Sequence, residues 1–177
     1  MKNLSKLLAA AFTIAVLFFT TNAQAQTTPA KSFLLSLGIE TGIPTGVARI
    51  GANFNLGGTA RLQYGITNDL ALTFTAGGYH YFTKKIPGQD KRYSSYGELP
   101  IKAGLKEFFL PNIYVGGEAG IAFEKLEDGW GPHRLVLSPN LGYANKNWDF
   151  GLHYDHFTHK EDHFGIFALR VAYGFGL

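Results

Sequence analysis

From residue 33 onward the chain alternates large apolar residues with small or polar ones, and few stretches carry the 3.6-residue spacing of a helix. The final eleven residues are the clearest case. Phe167, Leu169, Val171, Tyr173, Phe175 and Leu177 take every second position, with Ala168, Arg170, Ala172, Gly174 and Gly176 between them. A strand points successive side chains to opposite faces, so this segment has one apolar face and one small or charged face. The same period predicts eight strands, over 33–43, 58–66, 70–82, 96–108, 113–124, 133–144, 148–157 and 163–177. A last strand with no partner would be an open edge unless it closes against the first. The expected fold class is therefore all-β, an eight-stranded antiparallel up-and-down transmembrane β-barrel.

The connections alternate in character. Thr67-Asn68-Asp69, Phe109-Leu110-Pro111-Asn112 and Asn145-Lys146-Asn147 read as tight turns, while 44–57, 83–95, 125–132 and 158–162 read as longer links. Short turns at one end and longer loops at the other are the pattern of outer-membrane barrels. One face of the strands gathers residues such as Leu37, Ile39, Leu72, Ile101, Val115, Leu137, Leu152 and Leu169. The opposite face carries Glu40, Arg61, Gln63, Thr73, Thr75, Glu98, Lys102, Lys106, Glu118, Glu124, Asn140, Asp149, His153, Asp155 and Arg170 among Gly and Ala. In a membrane barrel the apolar set meets lipid and the polar set fills the lumen. A soluble exported lipocalin-like barrel would invert that assignment. Two groups of aromatics favour lipid outside. Tyr79, Tyr81, Phe82, Tyr96, Tyr154 and Phe157 lie near the long loops; Tyr64, Phe108, Phe109, Tyr143 and Trp148 lie near the tight turns.

The first 25 residues read as a cleavable secretory signal. Lys2 and Lys6 precede an apolar run over 7–19 broken only by Thr13, and Ala23-Gln24-Ala25 is a small-x-small cleavage site. Cleavage there removes 25 of the 177 residues and leaves 152 (residues 26–177), a one-domain length. The two lysines supply two of the three net positive charges, so the remainder stands at +1. That balance gives no reason to expect a nucleic-acid partner. There is no cysteine, which excludes disulfides and thiolate metal sites. The apolar run is shorter than the roughly 20 residues a membrane-spanning helix needs.

Three segments carry a resemblance to a known family: Gly38-Ile39-Glu40-Thr41-Gly42-Ile43-Pro44-Thr45-Gly46, Val115-Gly116-Gly117-Glu118-Ala119-Gly120 and Arg170-Val171-Ala172-Tyr173-Gly174-Phe175. Residues 26–177 resemble the eight-stranded OmpA/OmpX-type outer-membrane β-barrels over essentially their whole length. The resemblance implies a place in the bacterial outer-membrane bilayer and insertion by the barrel-assembly machinery, which reads the final strand. Family members often finish on Phe, whereas this chain has Leu177 after Phe175 and Gly176. The family's motifs specify fold rather than activity.

Candidate chemistry is sparse. Eight strands leave a lumen just wide enough for side chains, so Glu40, Arg61, Glu98, Lys102, Lys106, Glu118, Glu124, Asp149 and Arg170 are expected to pair as a charged core, with a small-solute or ion path as the alternative. His153, Asp155, His156, His159 and His163, with Asp162, crowd the last hairpin, and His with Asp suits zinc, nickel or copper. Parity points His153 and Asp155 inward but His156 toward lipid. A lipid-modifying hydrolase, built on His156 or His159, would need a nucleophile beside that base. Serines are few, Ser36 and Ser138 have no evident histidine at their height, and no Gly-x-Ser-x-Gly elbow occurs. The 84–92 segment holds four positive charges and one negative, a surface for lipopolysaccharide phosphates or another surface partner if it is more than a mobile loop. Pro100 and Pro139 fall inside predicted strands, where bulges or breaks are expected. The expectation is a monomeric, non-enzymatic barrel with no cofactor and a structural or surface-interaction role.

Overall fold

The computed structural model describes residues 28–177; the predicted signal segment lies outside them. Eight strands form one closed antiparallel barrel: β1 (Phe33–Gly46), β2 (Ala52–Gly65), β3 (Leu70–Thr83), β4 (Tyr96–Leu110), β5 (Ile113–Leu126), β6 (Gly129–Ala144), β7 (Trp148–His159) and β8 (Asp162–Gly176). Each strand pairs with its neighbours in sequence, and β8 closes on β1 from Leu34↔Gly176 to Gly46↔Phe164. Closure removes the open edge that the last strand would otherwise present. A single helical turn, α1 (Ala48–Gly51), links β1 to β2. No helix among the described residues is long and apolar enough to cross a membrane.

The two faces segregate sharply. Outward-facing Ile39, Leu135 and Phe167 are 66, 62 and 63 % exposed, whereas inward-facing Arg170 and Lys102 are 1 and 2 % exposed. A barrel stable in water would bury the apolar set instead. Here an exposed apolar belt surrounds a polar interior, the arrangement that suits hydrocarbon outside.

The strands run further than the alternation predicts at the loop end. The predicted link over 44–57 contracts to α1 and its flanks, because β2 already begins at Ala52. The predicted links over 125–132 and 158–162 become hairpins with two residues between strands, at 127–128 and 160–161. Only 84–95 remains long, so the contrast in loop length between the two ends is smaller than the sequence indicates. The physical reason is that main-chain pairing continues where the side chains no longer alternate. Small shifts of register at Ala52/Phe54 and Phe123/Lys125 mark that change.

The prolines neither break a strand nor shift its register. Pro100 pairs with Ala122 on the β5 side, while on the β3 side the ladder skips from Ala76↔Ile101 to Tyr79↔Glu98. Pro139 pairs with Gly117 on the β5 side, and the β6–β7 ladder skips from Leu137↔His156 to Asn140↔His153. A missing N–H thus costs a local gap in one ladder while pairing on the other flank holds the alignment.

The expected aromatic girdles also need correction. Tyr79, Tyr81, Phe157 and Phe108 point inward and are buried, and Tyr96 stacks on Tyr81 with ring centres 4.2 Å apart. They plug the barrel rather than ring it. Tyr81, Phe157 and Phe164 belong to an apolar cluster at the loop end, while Phe108, Tyr114 and Ala144 form another at the turn end. Other aromatics do face outward, among them the stacked Phe54–Phe82 pair and the Tyr154–Phe167 pair toward the loops, and Phe33–Tyr64 and Trp148–Tyr173 toward the turns.

Candidate functional site: a charged lumen

The inward positions of six strands converge on one chain of ionisable groups. Arg61 on β2 meets Glu118 on β5 at 3.0 Å, and Lys102 on β4 lies 3.9 Å from the same carboxylate. Lys102 also reaches Asp155 on β7 at 3.1 Å. His153 Nε2 stands 3.5 Å from both Asp155 and Glu40. Glu40 on β1 takes Arg170 on β8 at 3.2 Å, Arg170 lies 3.7 Å from Asp149, and Asp149 takes Lys106 at 2.7 Å. Four acids, four bases and one histidine are thereby linked without a break, and with His153 neutral their charges cancel.

Hydroxyls complete the network. Thr59 donates to Glu40 at 3.0 Å and accepts from Arg170 at 3.2 Å, and Ser36 accepts from Arg170 at 3.0 Å. Thr73 and Thr75 both donate to Glu118, at 3.0 and 2.6 Å, while Arg61 Nε donates to Thr75. Tyr79 donates to Glu40, and Tyr114 donates to Asp149 at 2.7 Å while its ring lies 3.9 Å from the Lys106 ammonium. Such pairing is physically required: a charge taken from water costs several kcal/mol unless a partner and hydrogen bonds replace its hydration. His153 Nε2 and Arg170 Nη1 face carboxylates at 3.5 and 3.7 Å without a hydrogen bond. Small residues make the space. A Cβ on inward-facing Gly104 would stand 2.0 Å from the Gly117 carbonyl and 2.8 Å from the Glu118 side chain.

The sequence-derived candidates are distributed unevenly. Glu40, Arg61, Lys102, Lys106, Glu118, Asp149 and Arg170 all join the network. Glu98 is buried nearer the loop end, where Tyr81 donates to it at 2.7 Å. Glu124 sits at the rim with Arg134, which lies 3.5 Å away and reaches Asp162 at 3.0 Å. Arg134 escaped the sequence reading although its parity with Val136 and Ser138 was available to reveal it. The Tyr79 and Tyr81 hydroxyls escape it for a different reason, since aromatics near strand ends suggest the lipid interface, and nothing in the pattern singles out Tyr114.

The metal candidates do not gather into one place. His153 and Asp155 belong to the lumen, His159 Nδ1 lies 2.9 Å from the His133 carbonyl oxygen, and His156 and His163 meet on the outer surface. Among the described residues no group of three or more His, Cys, Asp or Glu converges as a metal cage. Ser138 Oγ contacts Lys102 Nζ at 3.3 Å, and Ser36 serves Arg170, so both serines are taken up by cations. At the turn end of the lumen, a cavity bordered by Ser36, Gln63, Lys106 and Asp149 measures about 10 Å³. That is room for one water at most.

No protein-family model and no curated protein matches the sequence. Solved structures do match in fold. The attachment invasion locus protein Ail of Yersinia pestis superposes with a TM-score of 0.54 at 13% identity, covering 82% of this chain and 99% of Ail. Ail in complex with the heparin analogue sucrose octasulfate gives 0.55 at 13%, over the same shares of both chains. The outer membrane protein OprG of Pseudomonas aeruginosa gives 0.50 at 11%, covering 87% of this chain and 99% of OprG. With a closed ring of eight antiparallel strands, an apolar exterior and a charged interior, the chain has the fold of the eight-stranded OmpA/OmpX-type outer-membrane β-barrels.

Proposed function

We infer that this protein is an integral barrel of the bacterial outer membrane that acts as a structural and surface-interaction element rather than as an enzyme or a conduit. One observation carries the reading: burial is inverted, with charges enclosed and apolar side chains exposed around the whole circumference. The lumen is the barrel's core, filled by ion pairs and stoppered by aromatics at each end. Interaction then falls to the loop end. There Lys84 bonds to main chain of α1 through both N–H and ammonium, which joins Arg49 to Lys84, Lys85, Lys91 and Arg92 in one basic ridge. Lys85 pairs with Asp90, the single acid of that segment, and a Lys85↔Arg92 bridge folds it back on itself. A ridge of this kind suits phosphate or sulfate groups at the cell surface, including those of lipopolysaccharide. Ail, which shares the fold, has been solved with a heparin analogue bound.

Expression with residues 1–25 intact, followed by fractionation and gel electrophoresis with and without boiling, tests the assignment. Recovery in the outer-membrane fraction with heat-dependent migration is expected, and a soluble periplasmic product would refute it. Planar bilayers holding verified inserted protein are expected to stay silent; steady conductance would replace the filled core with a channel.

A further inference from the structure

We propose that His156 and His163 form a two-imidazole site for a divalent transition-metal ion on the outer surface of the β7–β8 hairpin. The two residues are diagonal neighbours, since His156 pairs with Gly165 and Thr158 pairs with His163. Their ring centres stand 6.1 Å apart with the planes inclined by 39°. A metal–nitrogen bond of about 2.0–2.1 Å puts a ring centre about 3.2 Å from the ion, so two rings on one ion stand roughly 5.2–6.4 Å apart between tetrahedral and linear angles. The observed spacing falls inside that window.

The surroundings favour the same use. Neither ring makes a hydrogen bond to another described residue, whereas His80, His153 and His159 are each engaged by a polar neighbour. Tyr154 lies beside His156 with ring centres 6.3 Å apart. Both histidines line a recess of about 230 Å³ together with Glu161 and Asp162. Asp162 is held by Arg134, which leaves Glu161 to bias the recess toward cations. With two protein ligands the ion keeps open positions for water, and imidazole donors favour copper over zinc by the usual order of affinities. The ion would tie β7 to β8 at the loop end and so stabilise the last hairpin.

The His133–His159 pair, with ring centres 6.2 Å apart, nearly perpendicular rings and His159 Nδ1 against the His133 carbonyl oxygen, is the competing pair that the test has to separate. Untagged protein in detergent micelles, titrated with Cu²⁺ by calorimetry and read by electron paramagnetic resonance, provides the test. One Cu²⁺ per chain with hyperfine structure from two nitrogens is expected. His156→Ala and His163→Ala should each erase the two-nitrogen signature. Each should also weaken binding at least about tenfold, the loss that even an outer-shell partner's removal brings to a metal site. His133→Ala should leave both readouts unchanged. Stoichiometric binding that survives both substitutions, falls equally in His133→Ala, or is absent from the unaltered protein overturns the proposal.

Discussion

Lysines and arginines gather in two regions of this barrel, four in the lumen and five on the loop-end ridge, and have opposite consequences there. In the lumen, Arg61, Lys102, Lys106 and Arg170 are enclosed, and each touches at least one carboxylate within 4 Å. On the loop-end ridge, Lys85 and Asp90 make an equally short contact of 3.0 Å, yet their side chains are 65 and 97 % exposed. Water screens the second pair and cannot reach the first. The same distance therefore marks a structural necessity in one place and a marginal contact in the other. The difference teaches that charge chemistry in this molecule has to be read through burial before it is read through function.

The largest effect should follow from breaking the lumenal chain at its centre. Arg170→Met leaves Glu40 and Asp149 without that cation and is expected to destabilise the barrel by about 3–5 kcal/mol, measured by urea unfolding in lipid vesicles. A loss below about 1 kcal/mol, the scale of a surface pair, would erase the contrast between the two regions. An intermediate effect is expected from crowding the network without removing a charge. Gly104→Ala already sets a Cβ against the Gly117 carbonyl oxygen and Glu118 and should cost about 1–3 kcal/mol by the same measurement. The smallest effect belongs to the ridge. Lys85→Ala should change stability by no more than about 0.5 kcal/mol. Replacing Lys84, Lys85 and Lys91 together by Gln should nevertheless weaken binding to vesicles carrying lipopolysaccharide, and added salt should erase the difference. If that triple substitution destabilised the barrel as much as Arg170→Met, the ridge would be part of the core after all.

Much of this was legible in the chain. Eight strands, their order and the identity of the two faces follow from a period-2 pattern, and the parity of Glu40, Arg61, Lys102 and Arg170 places them on the polar face. The readings that failed cluster at strand ends. There alternation fades, as over 52–57 and 125–132, while main-chain pairing goes on. Tyr79 and Tyr81 share the parity of Thr73 and Thr75, yet residue type suggested the lipid interface; the need to stopper a narrow lumen decided otherwise. The histidines were legible in part: parity sets His153 and Asp155 inward and His156 outward, and the structure keeps them on those two faces.

The sequence by itself determined which residues face inward and that the last strand needed a partner, because side-chain direction is a local property of the backbone. Only the tertiary structure decided which inward charges meet. Arg61 reaches Glu118 from β2 to β5, and Lys106 reaches Asp149 from β4 to β7, contacts that span the lumen between strands that are not neighbours. Their partners depend on the relative height of strands around the closed ring and on the small bore of an eight-strand barrel. Closure also set Glu40 opposite Arg170, which lie 130 residues apart in the chain. Alternation supplied the charges to the interior, and the geometry of closure paired them.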